Sequence, residues 1–140
     1  MLKVFPVEAP VSFECVRSEL LQLDWPNRSA DFCIPGDDDH VLRVTFPDLA
    51  IFRVLDEFLL SVEFAEPYEG RVSNHFAYRV EGHPFLDEQS SDWREICGTI
   101  NHYQFVTGSG CLDVIMAGEP KFLIVPALTL EARYRIESRH

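Results

Sequence analysis

His102 and Asp113 are the residue types in this chain that could work together on a proton, since a carboxylate bonded to an imidazole sets its tautomer and supports acid–base transfer. Whether they meet depends on a turn. Residues 102–107 and 110–116 alternate on either side of Gly108-Ser109, a pair that suits a two-residue type II′ turn in which the glycine supplies positive φ. The register that follows sets Phe105 opposite Leu112 and Tyr103 opposite Val114. His102, Gln104 and Asp113 then share the other, more polar face with Val106, Cys111 and Ile115. On that face His102 and Asp113 are diagonal neighbours about 7–8 Å apart at Cβ, within reach of a hydrogen bond. No nucleophile completes the set. Cys111 is level with Val106, about 13 Å along the strand from His102, which excludes a Cys–His dyad. A His and an Asp on a partly exposed sheet face are the commoner meaning of such a pair. His102, Gln104 and Asp113 are therefore candidate ligand-binding residues, and no catalytic residue is assigned.

Other constellations carry less chemistry. Asp37-Asp38-Asp39-His40 has metal-ligand residue types, but adjacent positions do not all point at one ion. The Asp-x-Asp-x-Asp-Gly spacing with a later bidentate Glu is absent, so a solvated loop before a strand is expected. His75 and His83 have no ligand spacing between them. Gly108-Ser109-Gly110 lacks a downstream Gly-Lys-Ser/Thr and does not lead into a helix, so it is no phosphate loop. Cys15, Cys33, Cys97 and Cys111 form neither a Cys-x-x-Cys knuckle nor the dense pattern of a secreted scaffold, and read as buried thiols. A helix C-terminus near Cys97 would disfavour its thiolate. No metal and no cofactor is expected.

The elements that must position these residues are mostly strands. Residues 41–56 read as a hairpin around a Pro47-Asp48-Leu49 loop, with Val44 opposite Phe52 and Leu42 opposite Val54. That register sets Arg43 across from Arg53. Like charges in that position are destabilising, so an acidic side chain from a neighbouring strand or a bound anion is expected between them, and both arginines join the candidate ligand residues. Residues 10–25 stay open between two readings: Phe13, Val16 and Leu20 have helical spacing after Pro10, while Leu21, Leu23 and Trp25 alternate as a strand. Residues 27–39, with Pro35, Gly36 and three aspartates, read as a long loop. A half-buried strand is expected over 75–81, and a short helix over 91–98, capped by Ser91 and ended by Gly98. Two further strands follow, over 121–126 and 131–136; Glu131, Arg133, Arg135 and Glu137 place the last near an edge. The expected fold is mainly β with a minor α part: an antiparallel sheet of about six strands in hairpins, as a sandwich or half-barrel, with one short helix.

The chain has 140 residues, 46% of them apolar or aromatic, which fits a single globular domain over 1–140. Phe46, Phe52, Phe76 and Phe105 fall on inferred inner faces and are core before they are a ligand box. Trp25 and Tyr68, beside prolines, are the aromatics expected at an interface. Its first residues lack the apolar region of a secretory signal and no run is long enough to span a membrane, so a soluble, cytoplasmic protein is expected. The net charge is −11, and residues 1–100 hold 8 Lys/Arg against 19 Asp/Glu, whereas residues 101–140 hold four of each. Such a field repels nucleic acid and anionic lipid and favours basic partners. The oligomeric state has no signature.

Residues 102–107, with Asp113-Val114-Ile115 and then Glu119-Pro120, resemble the C-terminal part of small uncharacterised bacterial proteins, some of which resemble immunity proteins of toxin systems. The resemblance covers about forty residues and transfers no catalytic residue. It implies a cytoplasmic, non-enzymatic protein that recognises a cognate partner. The expected function is a small acidic interaction module, immunity-like, that binds a basic protein. The alternative is a small-molecule binder or enzyme with its pocket near His102, Gln104 and Asp113.

Overall fold

The computed structural model describes residues 2–47, 50–56, 68–70, 72, 74–82 and 100–127. These residues form an all-β protein of two antiparallel sheets, with one 3-10 turn at Cys15–Arg17, no α-helix and no closed barrel among them. The strands are β1 (Leu2–Pro6), β2 (Leu20–Asp24), β3 (Ser29–Ile34), β4 (Asp37–Thr45), β5 (Ile51–Asp56), β6 (Tyr68–Glu69), β7 (Ala77–Glu81), β8 (Ile100–Val106), β9 (Gly110–Ala117) and β10 (Lys121–Pro126). One sheet has the antiparallel order β5-β9-β8-β7-β1, with the two-residue β6 added in parallel beside β1. The other has the order β10-β4-β3-β2. The helix expected over 91–98 and the strand expected over 131–136 lie outside the described residues.

Alternation explains most of these strands. In β3, Ala30, Phe32 and Ile34 are buried while Asp31 and Cys33 are half-buried, and in β4 Leu42 and Val44 are fully buried on either side of half-buried Arg43. This corrects the long loop expected over 27–39. Pro35-Gly36 is a tight turn, with Gly36 at φ 85°, and the aspartates after it are the exposed start of β4. Of the two readings of residues 10–25, the strand is realised at Leu20–Asp24. Val16 is 63% exposed, so the spacing of Phe13, Val16 and Leu20 is not a buried helical face.

The hairpin expected over 41–56 does not form. β4 pairs with β3 and β10, which satisfy both of its edges, while β5 pairs with β9 in the other sheet. Phe46 causes the crossing. Its ring is 5.3 Å from Phe52 and 6.0 Å from Phe105, and its backbone N–H donates to the Arg28 carbonyl at 2.8 Å. Burying Phe46 and Ala50 between the sheets carries the chain from one to the other. Phe105 is the meeting point of both sheets, with the rings of Phe32, Phe46, Phe76 and Phe122 all within 6.3 Å. Val54, expected on an inner face, is 56% exposed.

The β8–β9 register is the expected one: Phe105 pairs with Leu112, Tyr103 with Val114 and Val106 with Cys111. The turn chemistry differs. Gly108 is absent from the positive-φ residues, so the corner is not type II′. Thr107 closes it instead, its hydroxyl donating to the Gly110 carbonyl at 3.1 Å and accepting from the Ser109 N–H at 3.3 Å. Glycine is needed at 108 for space: a Cβ there would lie 2.1 Å from the Val16 carbonyl oxygen, and its own N–H donates to the Ser18 carbonyl at 3.0 Å. Gly108→Ala is expected to cost about 1–3 kcal/mol by forcing two backbones apart. Gly36→Ala, with open space around it, is expected to cost about 1–2 kcal/mol through left-handed strain alone. Urea unfolding of both variants, followed by crystallography or NMR of the 14–18 segment, checks the difference: only the change at 108 should displace Val16.

Candidate functional site

Four neighbouring strands bring the polar residues into one row. Arg53 on β5 pairs with Asp113 on β9, Asp113 pairs with Gln104 on β8, and Gln104 pairs with Tyr78 on β7. His102 stands two residues from Gln104 on the same face. Asp113 Oδ1 accepts from His102 Nε2 at 2.7 Å and from Gln104 Nε2 at 3.2 Å. Its Oδ2 accepts from Arg53 Nη2 at 2.9 Å and Nε at 3.2 Å, and the Cys111 thiol points at it from 3.9 Å. The row containing His102 is otherwise Ile115, Val80 and Val4, so the charged knot is framed by apolar side chains.

This face is sealed, which corrects the partly exposed surface expected from the sequence. His102 and Asp113 have no solvent exposure and Gln104 has 3%. Burial pushes the Asp113 carboxyl up most strongly of any single effect, but the His102 hydrogen bond and charge, with the Arg53 charge and hydrogen bond, outweigh it. The net result holds the carboxyl below its ordinary value. A carboxylate whose two oxygens are both engaged and dry has no capacity left for a substrate proton. The knot ties β5, β9 and β8 together.

The other candidates are dispersed. Arg43 is in the second sheet, bound through Nε and Nη2 to Asp31 at 2.8 and 3.0 Å. Arg43 and Arg53 therefore do not face each other, and each has a carboxylate from an adjacent strand, the kind of partner expected in place of an anion. Asp37 and His40 form a local exposed pair at 3.1 Å, which lowers the Asp37 carboxyl through that hydrogen bond. No group of His, Cys, Asp and Glu among the described residues is arranged to hold a metal ion. Cys15, Cys33 and Cys111 are thiols. Trp25, in the β2–β3 turn, is 53% exposed with Arg28 stacked on it at 4.5 Å and the Phe52 ring at 5.3 Å. Tyr68 belongs to β6, and its side chain lies outside the described residues.

Comparison with protein-family models, with curated proteins and with solved structures returned no match. The Arg53–Asp113 bond escaped the sequence reading, although it left a trace. Each of the apolar runs 51–55 and 111–116 carries one charge at its centre, and the two charges are opposite.

The outer charge follows from these pairings. Arg43 is bound to Asp31, Arg53 to Asp113 and Arg79 to Glu81, while Arg28 lies on Trp25. Among the described residues, exposed Glu8, Glu14, Glu19, Asp38, Asp39 and Glu119 form no ion pair. Of the described Lys and Arg residues, Lys3, Arg17 and Lys121 are exposed and outside these pairings.

Removing one member of the knot leaves buried charge uncompensated. Asp113→Ala is expected to destabilise the fold by about 3–5 kcal/mol in chemical denaturation. The pH dependence has a definite sign. A carboxyl held below its unfolded value of about 3.9 contributes stability that is present above that pH and lost as pH falls through the lower folded value. Stability against urea should therefore drop below about pH 4, and Asp113→Asn should make this acid limb shallower. An unchanged limb would remove Asp113 from the account.

Proposed function

We propose that this protein is a small acidic, non-enzymatic interaction module that binds a basic protein, in the manner of an immunity-like protein. The observation that carries the reading is the division of charge. Of the five arginines among the described residues, four are held by Asp31, Asp113, Glu81 or the Trp25 ring, while Glu8, Glu14, Glu19, Asp38, Asp39 and Glu119 form no ion pair and face solvent. A surface of that kind steers a basic partner over distances comparable to the screening length of about 8 Å at physiological ionic strength. Trp25 supplies an exposed aromatic anchor already held in place by Arg28 and Phe52, which lowers the entropy lost when a partner packs on it. The alternative, a small-molecule pocket at His102, Gln104 and Asp113, is disfavoured because those side chains are dry and occupied with one another.

Tagged protein used to capture partners from the source cell should return a basic protein in stoichiometric amount. Its association rate should fall about tenfold or more as salt rises from low to above-physiological levels. Trp25→Ala should raise the dissociation rate with little effect on association. Recovery of no stoichiometric partner, or a rate indifferent to salt, would sink the reading.

A further inference from the structure

A cleft of about 620 Å³ lies between two irregular stretches, residues 8–14 on one side and Val72 with Asn74, His75 and Phe76 on the other. That volume falls within the range of about 300–1,000 Å³ typical of ligand-sized pockets. The walls are built rather than loose. His75 Nε2 donates to the Val7 carbonyl at 2.9 Å, and the Cys15 N–H donates to the Asn74 carbonyl at 3.1 Å, so each segment is fastened to the other. Asn74 holds a positive φ of 65° at the corner of the second segment.

Two kinds of group look onto this space. Phe13 is half-buried at the cleft and packs on the buried Phe76 ring, with centroids 5.2 Å apart. Glu8 and Glu14 stand at opposite ends of the first segment, both exposed and neither in an ion pair, and among the described residues no Lys or Arg lines the cleft. Carboxylates beside aromatic rings match one side chain better than others. A guanidinium is planar, stacks on ring faces, and offers a fork of donors that carboxylates accept in pairs. An ammonium has the same charge but neither the plane nor the fork.

We infer that this cleft receives an arginine side chain of a basic protein partner, with Glu8 and Glu14 binding the guanidinium and the half-buried Phe13 ring packing against it. The inference rests on the interaction-module reading above and gives that reading a specific contact point. Complementarity of charge selects the occupant, since the cleft is acidic on a protein already acidic overall. Seating a charged side chain in a walled cleft also gives it the partial desolvation under which such pairs contribute most.

The test uses the whole protein and a nine-residue oligo-arginine peptide as probe, with oligo-lysine of equal length for comparison. Calorimetry at low salt should show the arginine peptide binding more tightly than the lysine peptide. Glu8→Gln combined with Glu14→Gln should weaken arginine-peptide binding about tenfold. Asp38→Asn combined with Asp39→Asn, which removes the same charge from the start of β4, should change it less than about threefold. NMR signals of Phe13 and His75 should move on titration of the wild-type protein. Equal losses in the two double variants, or equal affinity for the two peptides, would overturn the cleft while leaving a general acidic surface in place. No binding of either peptide by the wild-type protein would overturn both readings.

Discussion

The ring of Phe105 is the contact on which the two sheets depend. It projects from β8 in the first sheet and touches Phe32 from β3 and Phe122 from β10 in the second, together with Phe46 and Phe76 from the segments next to β4 and β7. Tilted and edge-on ring contacts of this kind add directional preference to area burial. They therefore set the orientation of the sheets as well as holding them together. The chain has to cross between sheets to supply these rings, which explains why β4 and β5 part company after Phe46.

The reverse side of β8 and β9 solves a different problem. Buried apolar strands slide in register easily, because one isobutyl group packs much like another. Arg53 at the centre of β5 and Asp113 at the centre of β9 remove that freedom, since Asp113 satisfies Arg53, Gln104 and His102 together only when all three strands are aligned. Buried ion pairs seldom stabilise more than a well-packed apolar replacement. Their worth here is alignment: a displaced register would leave a dry, unpaired charge at a cost of several kcal/mol.

These internal pairings also shape the exterior. Arg43 and Arg53 sit on Asp31 and Asp113 of the neighbouring strand and Arg79 on Glu81 of its own strand, so the exposed carboxylates that no arginine holds act on solvent and on anything approaching. Asp31 and Asp113, each opposite an arginine on the next strand, tie neighbouring strands together, whereas Glu8, Glu14 and Glu119 in irregular stretches and Asp38 and Asp39 at the start of β4 face outward. Asp113 and Glu14 are chemically alike in sequence and differ only in what lies beside them.

Local chemistry was enough to settle what lies within a few residues. Alternation defined β7, β8 and β9, and the two-residue corner at Gly108-Ser109 fixed the β8–β9 register, including the His102–Asp113 approach. The mainly-β character was legible for the same reason, because period-two patterning is a property of adjacent positions. The fold decided everything that required distant neighbours. Whether Arg53 faces Arg43 or Asp113 depends on which strand lies alongside β5, and the partner chosen is sixty residues away. Whether Gln104 and Asp113 see water depends on what covers their face. Gly108 is a glycine because the Val16 carbonyl passes beside it, a constraint that exists only once the chain has folded back on itself.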